Sequence, residues 1–207
     1  MRIVVTLAAA LALVPAAGAG SGYVFPADRP LLARAATSQE QLLGLIASRL
    51  AQRAVSVRCG DPHGKEALGS VFVVNGKPVD YTILSPYECA GLAAFAADPR
   101  SYDPSGCPGP ACAQIEQVAL VLQVVAHESY HLWGAAEEAK AECYGLQSIW
   151  YVGSRLGSPL AEAKALGRLY WHEVYPQHGA QWPDYFSKDC RNGGRLDLRP
   201  RDPRWPE

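Results

Sequence analysis

Residues 127–131 read His-Glu-Ser-Tyr-His. On an α-helix, positions i and i+4 share a face, so two imidazoles at that spacing can reach one metal ion. A carboxylate directly after the first His lies beside a water on that ion and can take its proton. Zn2+ suits this chemistry, because it brings the pKa of a bound water toward neutrality and polarises a carbonyl. His127 and His131 are therefore candidate zinc ligands and Glu128 a candidate general base. With five His and eleven Glu in 207 residues, chance gives the pattern in roughly 0.6 % of such chains. A random match is a poor explanation.

A tetrahedral catalytic site needs a third protein ligand besides the water. Glu137, Glu138 and Glu142 follow the motif. If the helix ran straight on, Glu138 would lie about 10 Å beyond His131 at 1.5 Å per residue, out of reach. The helix must break, and Gly134 suits a left-handed C′ cap. A new helix from Glu137 can then fold back toward the imidazoles. Any of the three carboxylates is also compatible with a solvated acidic helix start.

The segment resembles the zincin superfamily of metallopeptidases, and within it the gluzincins. The matching residues are His127-Glu128-x-x-His131 followed by Glu138-x-x-Ala141-Glu142-x-Tyr144. The resemblance implies Glu138 as the third zinc ligand and Glu142 as the acid that supports a ligand His. The short interval between the two segments is closer to the metzincins, in which register Glu137 would be the ligand. It covers about 18 residues and implies a zincin-like domain that hydrolyses a peptide or protein substrate with a zinc-activated water. Two other readings use the same residues. One is an exported zinc-binding or structural module with little turnover, which has no need of Glu128; the other is a zinc amidase on non-peptide amides.

The elements that must position these residues follow from patterning. Ser38 with Gln41 reads as a capping box opening a helix to about Arg53. The runs Val55-Ser-Val-Arg, Val71-Phe-Val-Val and Val79-Asp-Tyr-Thr-Ile-Leu read as strands of a small antiparallel sheet, with a hairpin at Asn75-Gly76. Residues 98–110 read as a loop. A helix from Ala113 to about Trp133 carries the motif, a second spans Glu137 to Leu156, and a third runs from Pro159 to a stop at Pro176. The tail from Trp182 wraps the surface. On the third helix, His172 and Tyr175 are possible oxyanion donors, although amphipathic packing explains them better. His63 and His178 read as loop residues, and Val124 and Leu132 as packing.

The expected fold class is α+β: one mostly helical domain over 38–207, with the small sheet before the metal-binding helix. Arg2, the apolar run from Ile3 to Val14 and the small residues Ala17 and Ala19 read as a cleaved signal peptide over 1–20. Residues 21–37 read as a linker or short pro-segment. The apolar run is too short to span a bilayer, so no stable membrane insertion is expected after cleavage. A net charge of −1 offers no footprint for nucleic acid. Six cysteines in an exported chain read as a disulfide framework, and the expected location is secreted. Six cysteines allow 15 pairings, which the sequence does not decide; a local clip between Cys107 and Cys112 across Pro-Gly-Pro-Ala is the expected one, with Cys59–Cys89 and Cys143–Cys190 as the remaining pairs in chain order.

Overall fold

The computed structural model describes residues 20–64, 67–107 and 112–206. The signal-peptide reading over residues 1–20, apart from Gly20, and the turn at 108–111 lie outside the described residues. Chain order is α1 (Arg29–Ala33), α2 (Ser38–Ala51), β1 (Ser56–Cys59), β2 (Gly69–Ser70), β3 (Val73–Val74), β4 (Lys77–Pro78) and β5 (Tyr81–Leu84). Six helices follow: α3 (Pro86–Ala97), α4 (Ala113–Trp133), α5 (Glu138–Leu146), α6 (Ile149–Arg155), α7 (Leu160–Leu169) and α8 (Tyr175–Gln181). The fold is α+β: two small sheets beside a helical body.

α4 runs through the centre. Its residues Val118, Leu122, Val125 and Ala126 are buried against Leu43 and Ile46 of α2, Leu92 of α3, Leu146 of α5 and Ile149 of α6. A helix buried on nearly every side from Val121 to Leu132 shields its polar residues from water, so any polar atom there left without a partner inside the protein stands out.

The main sheet has the order β1-β5-β2, with β1 parallel to β5 (Ser56↔Tyr81) and β2 antiparallel to it (Gly69↔Leu84). It is therefore mixed, not antiparallel throughout as the strand runs suggested. The 60–80 connection is long enough to carry the chain back across the sheet, and it spends that length on β2 and on a separate hairpin. That hairpin turns tightly at Asn75-Gly76 between β3 and β4.

Capping differs by one residue from the reading at Ser38. Thr37 is the N-cap: its hydroxyl accepts from the Glu40 N–H (3.2 Å), and the Glu40 carboxylate accepts from the Thr37 N–H (2.8 Å). Glu40 wins over Gln41 because it also accepts from the Cys59 N–H (2.7 Å) and pairs with Arg34. Burial opposes its charge, but these partners outweigh burial and hold Glu40 down at about 2.

Residues 21–37 carry structure. Val24, Phe25, Leu31 and Leu32 pack on Val79, Tyr81 and Ile83. Asp28 is buried, accepts from the Tyr81 hydroxyl (2.5 Å) and pairs with His63. His63 is thus a tether to this segment.

The three disulfides are Cys59–Cys89, Cys107–Cys112 and Cys143–Cys190, as spacing suggested. Among the described residues no helix is long and apolar enough to cross a membrane. Both features are compatible with an extracellular protein.

α3 has no counterpart in the patterning, although Ser85 caps it by accepting from the Glu88 N–H (3.1 Å), with Pro at the first turn. Glu88 is fully buried, and neither carboxylate oxygen has a hydrogen bond among the described residues. Burial, reinforced by the Glu128 carboxylate, pushes Glu88 up to about 8 from 4.5. A folded-state value above the unfolded one favours the fold in acid, and that contribution drains away as pH rises through about 8. Wild-type stability should therefore fall by a few kcal/mol between about pH 5 and pH 9, and Glu88→Gln should flatten that fall. Urea midpoints across this range test it, and parallel profiles for the two proteins would refute the assignment.

Candidate metal centre

α4 ends where the sequence required a break. Gly134 adopts φ 115°, and its N–H bonds back to Tyr130 and His131. This left-handed cap reverses the chain so that α5 packs against α4. Arg53, just past the end of α2, holds the same end by donating through Nε to the Leu132 carbonyl (3.0 Å).

The reversal brings Glu138 to the imidazoles. Its Oε2 lies 3.0 Å from His127 Nε2 and 3.1 Å from His131 Nε2, and the two Nε2 atoms are 2.9 Å apart. Bonds of about 2.0–2.1 Å in a tetrahedron put ligand atoms about 3.3 Å apart, so this triangle is close to what one ion needs.

The outer nitrogens decide what the inner ones can do. His127 Nδ1 faces Glu142 Oε2 (3.0 Å), and His131 Nδ1 faces the Ala135 carbonyl (2.6 Å). A carbonyl and a carboxylate can only accept, so both Nδ1 atoms carry the proton. In the neutral imidazoles both Nε2 lone pairs then point at each other and at an anionic oxygen. Three lone pairs converging on one point call for a cation. The group His127, His131 and Glu138 could therefore hold a metal ion. The same crowding acts on protons: burial opposes charge on His127, but Glu138 and Glu142 overcome it and raise His127 to about 10. Burial works against the Glu138 carboxylate too, yet the imidazoles hold it well below its usual range.

Of the three candidate carboxylates, Glu138 joins the triangle and Glu142 stands behind it. Glu142 is buried and also accepts at Oε1 from the Tyr170 hydroxyl (2.7 Å), with His178 Nδ1 at 3.4 Å. Glu137 is exposed at the N-cap of α5.

Glu128 is 6 % exposed, and its Oε2 has no hydrogen-bond partner among the described residues. Burial raises it, against the pull of His127 and His131. A carboxylate lifted above its ordinary range is a stronger base at neutral pH. β2 passes directly over it: a Cβ on Gly69 would come within 2.7 Å of the Glu128 side chain. Gly69→Ala should therefore displace the Glu128 carboxylate, lowering any hydrolysis that depends on it by at least about tenfold with metal content unchanged. Turnover equal to wild type would show that β2 does not set this position.

A cleft of about 740 Å³ opens beside the triangle, between β2, α4 and α8. Patterning missed its far wall. Pro176 reads as a stop, yet the chain passes it through a π-helical turn, Tyr170–Val174, and continues as α8. The wider turn accommodates the proline that an unbroken α-helix would exclude. His178 is consequently buried in the cleft wall, and Tyr185 stacks on His127 with ring centroids 5.6 Å apart. His172 is exposed and lines no part of the cleft. Tyr175 bonds through its hydroxyl to the Ser187 backbone. Leu132 is core, whereas Val124 lines the cleft.

Comparison of the chain with protein-family models, with curated sequences and with solved structures gives no significant match. The reading of the site rests on its own geometry.

Proposed function

We propose that the chain is an exported zinc-dependent hydrolase that cleaves peptide bonds. The observation that carries this reading is the combination of a three-atom ligand triangle with an unpartnered, buried carboxylate one residue away. A purely structural site closes its fourth position with protein and has no use for such a base. The resemblance of His127-Glu-x-x-His131 and Glu138-x-x-Ala-Glu142 to gluzincins agrees with it, as does a donor set of two imidazoles and one carboxylate.

His127, His131 and Glu138 would hold the ion. Zinc, when bound, supplies Lewis-acid polarisation of a carbonyl and acidifies water. Glu142 keeps the Nδ1 proton on His127, and Tyr170 keeps Glu142 in place; the Ala135 carbonyl does the same for His131. Glu128 accepts the proton of the attacking water on its carboxylate and passes it to the departing nitrogen. β2 and Tyr185 close off solvent on two sides of the triangle.

Zinc content of the purified protein, combined with a broad peptide-library digest, tests the proposal. One zinc per chain with cleavage products supports it. Zinc without turnover would replace it with the exported binding module, and turnover confined to non-peptide amides with the amidase. A native protein that binds no zinc would end it.

A further inference from the structure

The cleft continues far past the metal centre. One wall is a single stripe of α4, in which Glu116, Leu120, Val124 and His127 recur at three- and four-residue spacing. Glu116 precedes His127 by eleven positions on that helix, about 16 Å at 1.5 Å per residue. An extended chain advances about 3.3 Å per residue, so about five residues separate the two ends.

The wall changes character along its length. Gln123 Oε1 and Gln117 Nε2 are buried and without a hydrogen-bond partner among the described residues. One is an acceptor and the other a donor, the pair that a peptide backbone satisfies with its own N–H and C=O. Beside them on the same helix Leu120 and Val124 line the cleft with apolar side chains. Opposite, Trp182 at 54 % and Tyr185 at 36 % exposure stand at the rim. Tyr185 packs on His127 and Trp182 edge-on against His178, and the outward face that each ring keeps beside the cleft is suited to contact with a ligand. At the far end the Glu116 side chain makes no hydrogen bond or ion pair among the described residues, and no Lys or Arg among them lines the cleft.

We infer that this groove binds an extended peptide segment carrying a basic residue about five positions from the bond presented to the metal centre, with that cation paired to Glu116. The inference rests on the peptide-hydrolase reading for the placement of the bond, but its recognition chemistry belongs to the groove. The Gln side chains take the peptide backbone, Leu120 and Val124 take apolar side chains, and Glu116 sets the charge preference.

The test uses zinc-loaded Glu128→Gln protein, which holds peptide without turnover. Fluorescein-labelled neutral ten-residue peptides with one Arg moved through successive positions are titrated by fluorescence anisotropy. Arg at one position should bind about fivefold tighter than the neutral parent, less so at high salt. Adding Glu116→Gln should abolish the preference, and Glu116→Lys should transfer it to peptides carrying Asp there. A flat Arg scan, or a preference that survives Glu116→Gln, overturns the inference. The same peptides are digested with wild-type protein. Cleavage without a Glu116-dependent preference overturns the groove assignment and leaves the hydrolase reading standing; Glu116-dependent binding without cleavage does the reverse.

Discussion

Glu128→Gln is expected to keep its metal and lose peptide hydrolysis by about 10²–10⁴-fold, the range that general acid–base catalysis contributes. The substitution preserves shape and removes basicity. Glu128 lies outside the triangle of His127 Nε2, His131 Nε2 and Glu138 Oε2, so the ion should remain. The buried Oε2 that now lacks a partner would become part of an amide that cannot take a proton from water. Stability should hold or rise slightly, because a buried charge is replaced by a neutral group. Turnover rates, zinc content by elemental analysis and near-UV circular dichroism would be measured on the same preparation. Undiminished turnover with one zinc per chain would remove Glu128 from the mechanism. Zinc lost together with activity would instead make it a ligand.

The second large effect concerns the triangle itself. His131→Ala and Glu138→Ala should each weaken zinc binding by more than about 100-fold, because each removes one of three converging donors. Glu142→Ala touches only the Nδ1 side of His127 and should cost about 10–100-fold, the usual effect of a group that orients a ligand. Glu137→Ala should change nothing measurable, since its side chain is exposed and away from the triangle. Equal effects from Glu137 and Glu138 would refute the arrangement.

Stability offers an independent readout of the same site. Zinc at 100 times its Kd should stabilise the native chain by about 2.7 kcal/mol, a rise of roughly 5–10 °C in Tm for a domain of this size. His131→Ala should abolish that rise. The cause lies in the crowding of donors: zinc takes the place of the proton that Glu138 and Glu142 hold on His127, beside a second Nε2 only 2.9 Å away.

Parts of this site are local, and these the chain announces in its own order. The i, i+4 spacing of His127 and His131 holds on any helix, and Gly134 breaks that helix because φ 115° is open to it. Asn75-Gly76 makes the hairpin, and Cys107 and Cys112 are too close in the chain to need help in pairing. Patterning reads such features well because their energetics involve neighbours a few residues apart.

Other parts misled it for identifiable reasons. α3 lacks an amphipathic stripe, since apolar Ala, Leu and Phe run around most of its surface, so no period marked it. Residues Glu137 to Leu156 read as one helix but divide at Gln147. The Gln147 side chain is drawn off to hold the C-terminal tail through Leu196 and Leu198. Pro176 reads as a terminator, and the π-helical turn before it cancels that signal.

By itself, then, the sequence determined the chemistry on offer: two imidazoles, a base beside them, a helix break and three acids beyond it. Only the tertiary structure decided among those acids. Glu138 meets the imidazoles and Glu142 meets Tyr170 because the chain reverses at Gly134 and α7 packs behind. The second of those contacts joins residues 28 apart. The cleft wall of His178, Trp182 and Tyr185 was likewise out of reach, because it depends on how α8 and the residues after it lie across the cleft from α4, with about 40 residues of chain between the two helices. Residue type and spacing constrain what neighbours can do. Which distant groups share one pocket is settled by packing, whose free energy is spread over the whole core.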